Sequence, residues 1–231
     1  MATPLDLQEQ EQIDQLKAFW NQYGNLITWT LTLALAGFAA WNGWNWWQRE
    51  QSVKAGALYD ELDRVAQAGD TERVARAFAD LKERFPRTLQ AQQGALLAAR
   101  VQAEKGQSDA ALAVLAWAAE DASEDEYRTI AHLRAAGLLI DKKQYDEALK
   151  QLDSAQQGKA REFDALIADR RGDVLAAQGK AADAVAAYKK AWDAMDSKLE
   201  YRRLVDAKLT ALGAAPEAGA SAAGTSGGAA K

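Results

Sequence analysis

The chain has 231 residues and a net charge of −5, with 48% hydrophobic and 26% charged residues, one histidine, three prolines and no cysteine; this composition suits one helix-rich domain. Without cysteine there is no disulfide scaffold, no thiolate metal site and no cysteine nucleophile. A pI near 5.1 gives no general attraction for nucleic acid, whose binders carry a basic face, so nucleic acid is excluded as a partner.

Residues 1–24 form the first predicted element, a helical segment in which Ile13, Leu16, Phe19, Trp20 and Tyr23 recur at helical spacing. Such a stripe suits a membrane surface or a partner. Its acidic face, with Asp6, Glu9, Glu11 and Asp14, would be repelled by anionic lipid, so the segment reads as a helical lead-in.

Residues 25–48 come next, inside an interval from Ala18 to Gln48 that holds no Asp, Glu, Lys or Arg. As a helix, Leu26–Trp47 is about 33 Å long, close to the ~30 Å hydrocarbon layer of a bilayer. Six of the eight tryptophans fall between Trp20 and Trp47. Trp41, Trp44, Trp46 and Trp47 crowd one end, while Trp20, Tyr23 and Trp29 mark the other, as rings do at headgroup level. The predicted element is a single transmembrane helix surrounded by lipid.

A helix of a soluble core would not run so long without a charge. A cleaved signal peptide, for which Ala34-Leu35-Ala36 offers a site, needs a basic segment ahead of it, and here only Lys17 faces four acids. Charge leaves the orientation open. Arg49, Lys54 and Arg64 against Lys17 favour a cytoplasmic domain, but a domain of this size lies outside the range of that rule. Ala36 with Ala40, and Ala39 with Gly43, are small residues four apart that admit another transmembrane helix.

From residue 49 to 212 the chain is rich in helix formers, with Pro86 as its only proline. Gly106–Leu112 (GQSDAAL), Lys143–Leu149 (KQYDEAL) and Gly179–Val185 (GKAADAV) superpose, with anchors Ala111, Ala148 and Ala184. Four residues after each anchor stands Leu115, Leu152 or Tyr188, and seven after stands Ala118, Ala155 or Ala191. These positions share one helix face, and alternating small with large residues there lets a second helix pack closely. Gly69, Val74, Phe78, Leu81 and the helix-stopping Pro86 supply a degenerate first copy.

Val74, Ala111, Ala148 and Ala184 lie 37, 37 and 36 residues apart. The units cover 55–88, 92–125, 129–162 and 165–198. A capping helix over 200–212 closes them, with Leu204, Val205 and Leu209 inward and Arg202, Arg203, Asp206 and Lys208 in water. The predicted fold class is all-α: one N-terminal transmembrane helix, then an α-solenoid of about four helical hairpins and a cap. Residues 213–231, rich in Ala, Gly and Ser, are expected to be a disordered tail.

Gly69, Gly106 and Gly179 at the turns, the paired alanines and Pro86 resemble tetratricopeptide repeats. The order of a short acidic helix, an aromatic-bounded anchor, the helix Gln48–Tyr59 and the stretch Ala168–Lys180 resembles, over residues 10–210, the YfgM-type ancillary subunits of the bacterial Sec translocon. That resemblance implies a single-pass protein of the bacterial inner membrane with its repeat domain in the periplasm. It also implies a non-enzymatic interaction module whose partners are Sec translocon channel subunits and periplasmic chaperones or emerging polypeptide clients.

No catalytic, cofactor or metal site is expected. Gly224–Gly228 matches G-x-S-x-G, a pattern that works only on the strand-to-helix turn of an α/β sheet. His132 falls where it faces its own hairpin partner. No G-x-x-x-x-G-K-[ST], G-x-G-x-x-G or H-E-x-x-H occurs. Asp169 and Asp173, one turn apart beside Arg170 and Arg171, read as a solvated charged face rather than an acid/base couple, and the acidic run from Glu120 to Glu126 suits an inter-repeat loop.

A solenoid offers a groove lined by the first helix of each hairpin, a shape that holds an extended segment or a partner helix. Its predicted lining is Tyr59, Asp63, Gln93, Leu96, Arg100, Glu104, Ile130, Leu133, Asp141, Leu166, Asp169 and Asp173. Five acids against one arginine make that lining mildly negative. A cytoplasm-facing scaffold or regulatory adaptor using the same groove is the alternative.

Overall fold

A computed structural model describes residues 7–215, and every regular element among them is helical. Helix α1 (Leu7–Gln67) is followed by α2 (Thr71–Arg84), α3 (Leu89–Glu104), α4 (Ser108–Asp121), α5 (Asp125–Asp141) and α6 (Tyr145–Gln157). A 3-10 turn (Arg161–Phe163) then leads to α7 (Asp164–Ala177), α8 (Ala181–Ala194) and α9 (Glu200–Ala211). The expected tail beyond Ala215, including the Gly224–Gly228 pattern, lies outside the described residues. The chain divides between Val53 and Lys54 into two compact units.

In the N-terminal unit α1 turns its apolar side chains outward. Leu26, Trp29, Leu31, Leu33, Leu35, Phe38, Trp41, Trp44 and Trp46 are all exposed, as is the stripe of Ile13, Leu16, Phe19, Trp20 and Tyr23. Among the described residues no helix is long and apolar enough to cross a membrane. The spanning helix expected over residues 25–48 is therefore not marked by its hydropathy, for a visible reason. Helix α1 has the length, but Thr28, Trp29, Thr30, Thr32, Trp41 and Asn42 interrupt its Leu/Ala run. These polar groups turn back on the helix: Thr28, Thr30 and Thr32 donate from Oγ1 to the carbonyls of Gly24, Leu26 and Thr28 at 2.7, 2.8 and 2.8 Å, and Asn42 Nδ2 donates to Phe38 O at 3.1 Å. Each hydroxyl is satisfied one turn away without help from water.

In the C-terminal unit the apolar residues point inward. The last turns of α1 share a buried cluster with α2 and α3; α3 pairs with α4, α5 with α6 and α7 with α8, and α9 packs on α8. Three buried clusters succeed one another along the stack, the nearest-neighbour layering of a repeat solenoid. The anchors Val74, Ala111, Ala148 and Ala184 are fully buried, and Leu115, Leu152, Tyr188, Ala118, Ala155 and Ala191 are nearly so. Small residues are needed where helices meet: a Cβ on Gly172 would lie 2.4 Å from the Tyr188 ring, and one on Gly94 would lie 2.8 Å from Leu81 and 2.9 Å from Leu62.

One backbone device makes each hairpin turn. Gly69, Gly106 and Gly179 have φ of +68°, +74° and +77°, and Lys143 takes the same place in the third unit at +60°. At the second turn Gly106 N–H donates to Ala103 O at 2.9 Å and Gln107 N–H to Gln102 O at 2.8 Å; Lys143 and Gln144 repeat the pattern onto Ile140 and Leu139. This pairing closes the carbonyls left open at a helix end, and its left-handed residue favours glycine. Asp70 starts α2 by accepting from Arg73 N at 3.1 Å, and Thr88 starts α3 by accepting from Ala91 N at 3.3 Å.

The cap departs from expectation in two places. Val205 and Leu209 are buried as predicted, whereas Leu204 is 49% exposed. Lys208, expected in water, instead reaches into α7, because a carboxylate there is buried and requires a cation.

Candidate partner-binding groove

The turn glycines set a common register, so residues at equal distance before each turn fall on equivalent faces of α3, α5 and α7. That face forms a groove of about 680 Å³. Seven of the predicted residues line it: Arg100, Glu104, Ile130, Leu133, Asp141, Leu166 and Asp173. Gln93 and Leu96 line an adjoining hollow of about 240 Å³, together with Arg100 and Tyr127.

The structure places Tyr59, Asp63 and Asp169 elsewhere. Tyr59 is half-buried against the first core cluster, and burial followed by the Asp63 carboxylate raises its hydroxyl pKa. Asp63 accepts from Gln67 Nε2 at 2.8 Å. Asp169 is only 1% exposed, at a register position filled by Leu96 and Leu133 in the preceding units. Ala36, Ala39, Ala40 and Gly43 sit exposed on α1 in the other unit, and a Cβ on Gly43 would meet nothing within 4 Å.

Asp169 and Asp173 are thus not a solvated face. Lys208 Nζ lies 2.8 and 2.9 Å from the two Asp169 oxygens and 2.7 Å from Asp173 Oδ1. Tyr201 donates its hydroxyl to Asp169 Oδ2 at 2.8 Å, Tyr188 donates to Asp173 Oδ1 at 2.8 Å, and Arg170 Nη1 pairs with Asp173 Oδ2 at 3.3 Å. Two carboxylates, two cations and two hydroxyls close the end of the solenoid. Sequence register alone marks Asp169 as unusual, a charge where other units carry leucine, but nothing local names Lys208, 39 residues away.

Reasoning from the sequence missed Arg134 and Arg170, which also line the groove and stand nine residues before Lys143 and Gly179. With Arg100 they balance Glu104, Asp141 and Asp173, so the lining is mixed rather than mildly negative. Arg100 Nε pairs with Glu104 Oε1 at 2.9 Å. Arg134 Nη1 donates to Leu96 O at 2.9 Å, which ties α5 to α3; burial, then the neighbouring Arg100 charge, lowers its pKa. His132 faces its hairpin partner as expected, with Nδ1 2.6 Å from Gln151 Oε1 of α6. Apolar Phe163, Leu138, Ile140 and Leu115 complete the floor. The groove is thus an apolar trough with a few fixed charges along it.

Comparison with known proteins places this geometry. Residues 17–214 match the family model described as "Tetratricopeptide repeat-like domain". The chain is similar to the ancillary SecYEG translocon subunit of Neisseria gonorrhoeae, with 27% identity over 207 residues, covering 89% of this chain and 98% of the relative. The subunit of the same name from Haemophilus influenzae is 29% identical over 173 residues (75% and 83% of the two chains), and that from Escherichia coli is 26% identical over 189 (80% and 86%). With its hairpins, turns and family match in agreement, the chain belongs to the tetratricopeptide repeat-like domain family, and its curated relatives carry the name ancillary SecYEG translocon subunit.

Proposed function

We propose that the protein is a non-enzymatic, membrane-anchored interaction module. Residues 1–24 lead in, residues 25–48 cross the inner membrane once, and residues 49–212 hold a groove open beside a Sec channel. The observation that carries this reading is the outward-facing apolar surface of α1 between Leu26 and Trp47, uncharged along its whole length. Removing such a surface from water is favourable by roughly 25 cal/mol per Å². The threonines and Asn42 that lower its hydropathy close on carbonyls one turn back, which is how polar side chains are accommodated in hydrocarbon.

The relatives' name supports channel subunits as partners. The family resemblance supports a periplasmic repeat domain whose groove receives chaperones or emerging polypeptides. Ala36, Ala39, Ala40 and Gly43 are the face on which a channel helix packs closely. Tethering substitutes for intrinsic affinity, since a short linkage supplies effective concentrations on the order of millimolar.

Three measurements test the reading. Alkaline carbonate extraction should leave the chain in the membrane pellet, and release into the supernatant removes the anchor. Tagged chain purified in mild detergent should bring channel subunits with it, and their absence removes the named partner. Arg49, Lys54 and Arg64 favour a second reading, a cytoplasm-facing scaffold or regulatory adaptor. A reporter fused after Leu212 and active only in the periplasm supports the first reading; one active only in the cytoplasm establishes the second.

A further inference from the structure

The charged residues of the groove are unequally occupied. Glu104 is held by Arg100 at 2.9 Å. Asp173 is held by Lys208 at 2.7 Å, by the Tyr188 hydroxyl at 2.8 Å and by Arg170 at 3.3 Å. Arg134 has no carboxylate within ion-pair distance among the described residues, and of its several N–H donors one is used, on Leu96 O at 2.9 Å. That bond fixes the guanidinium across the gap from α5 to α3, beside the like charge of Arg100. A guanidinium pinned at one edge, with its remaining fork unused, is pre-organised for a bidentate carboxylate.

The surroundings restrict what brings that carboxylate. Ile130, Leu133, Leu138 and Leu166 give the groove an apolar floor. Asp141 stands seven residues along α5 from Arg134, on the same face and about 10 Å away. It repels an acid at its end, so the acid belongs at the Arg134 end. Between them Gly137 leaves space: a Cβ there would meet nothing within 4 Å.

We propose that the occupant of the groove is an apolar protein segment carrying a carboxylate, which Arg134 receives. This rests on the reading of the groove as a partner site. The test uses the full chain in zwitterionic lipid nanodiscs, with empty nanodiscs as the blank. Three fluorescent peptides share one leucine stripe and differ at a single position within it, as Glu, Gln or Lys.

The Glu peptide should bind about tenfold more tightly than the Gln peptide, and the Lys peptide should bind most weakly. Arg134→Gln should erase the Glu-over-Gln preference while leaving the Gln affinity in place. Gly137→Leu, which adds a side chain to open groove and a better helix former to α5, should weaken all three peptides without lowering the melting temperature. Equal affinity for the Glu and Gln peptides on the native chain, or a preference that survives in Arg134→Gln, overturns the assignment to Arg134 and leaves the groove reading intact. Failure of every peptide to bind above the blank overturns both.

Discussion

Tryptophan stands in opposite circumstances in the two units. In the N-terminal unit Trp29, Trp41, Trp44 and Trp46 are open on the surface of α1. In the C-terminal unit Trp117 is 8% exposed, meets Phe78 edge-on at 5.5 Å and carries Lys82 over its ring at 5.4 Å, while the Arg202 guanidinium lies 3.8 Å from the centre of Trp192. The repeat unit covers its own rings with aromatic edges and cations. In the N-terminal unit rings meet neighbours one turn along the same helix, Phe19 with Tyr23 at 5.1 Å and Trp44 with Trp47 at 5.3 Å, yet all four stay exposed. Hydrophobic composition alone does not tell where water is excluded; what tells is whether the chain folds a partner onto each apolar side chain.

If the C-terminal unit is self-sufficient, its buried charges depend on internal partners. Lys208→Met removes the cation from Asp169, and an uncompensated buried carboxylate should cost about 3 kcal/mol or more, read as a lowered denaturant midpoint. A loss below about 1 kcal/mol would mean that water or Tyr201 alone satisfies Asp169. The same cluster shapes alkaline behaviour. Burial first, then hydrogen bonding to the aspartates, raises the Tyr188 and Tyr201 hydroxyls above the ordinary value of 10.0. The folded state therefore keeps protons that the unfolded chain releases, so stability is intact below about pH 10 and declines as pH rises beyond it. The midpoint should fall above about pH 10, and changing Tyr188 and Tyr201 together to Phe should flatten that slope.

Leucine truncations place the two units side by side. Leu115→Ala opens a cavity beneath the groove and should cost about 2 to 4 kcal/mol. Leu33→Ala, on the exposed surface of α1, should change the same melt in detergent by less than about 0.5 kcal/mol. Comparable losses would show that the stretch of α1 around Leu33, like its last turns, belongs to a folded core, and would break the contrast between the units.

Much of the repeat unit was legible, because Ala111, Leu115 and Ala118 and their counterparts carry a face pattern that survives divergence, and Gly69, Gly106 and Gly179 are demanded by backbone geometry. The groove was legible in part. Register finds Ile130, Leu133 and Leu166, since a position seen three times averages over accident. Register fails where one unit is specialised: Asp169 occupies a leucine position but pairs with a helix outside the repeat, so its burial depends on a long-range contact with no local signal. Arg134 and Arg170 share a position that ordinary helix charge patterning would leave in solvent. In α1, the back-bonding of Thr28, Thr30, Thr32 and Asn42 is invisible to any scale that values residues one at a time.

The smallest expected effect lies in a turn where sequence and backbone disagree. Lys143 holds φ +60° where the other three turns have glycine, and a left-handed backbone costs an L-residue about 1 to 2 kcal/mol. Lys143→Gly relieves that strain, while the added freedom of glycine in the unfolded chain takes back about 0.4 to 1 kcal/mol, so a net gain of about 1 kcal/mol is expected. Gly106→Lys is the mirror change and should lose a similar amount. A gain at residue 143 matched by a loss at residue 106 identifies backbone strain as the cause, because the two turns share their backbone hydrogen bonds and the substitutions exchange the residue at the left-handed position. If Lys143→Gly instead destabilises the unit, the lysine side chain contributes more than its backbone costs, and the third hairpin is held by a contact that the glycine turns do without.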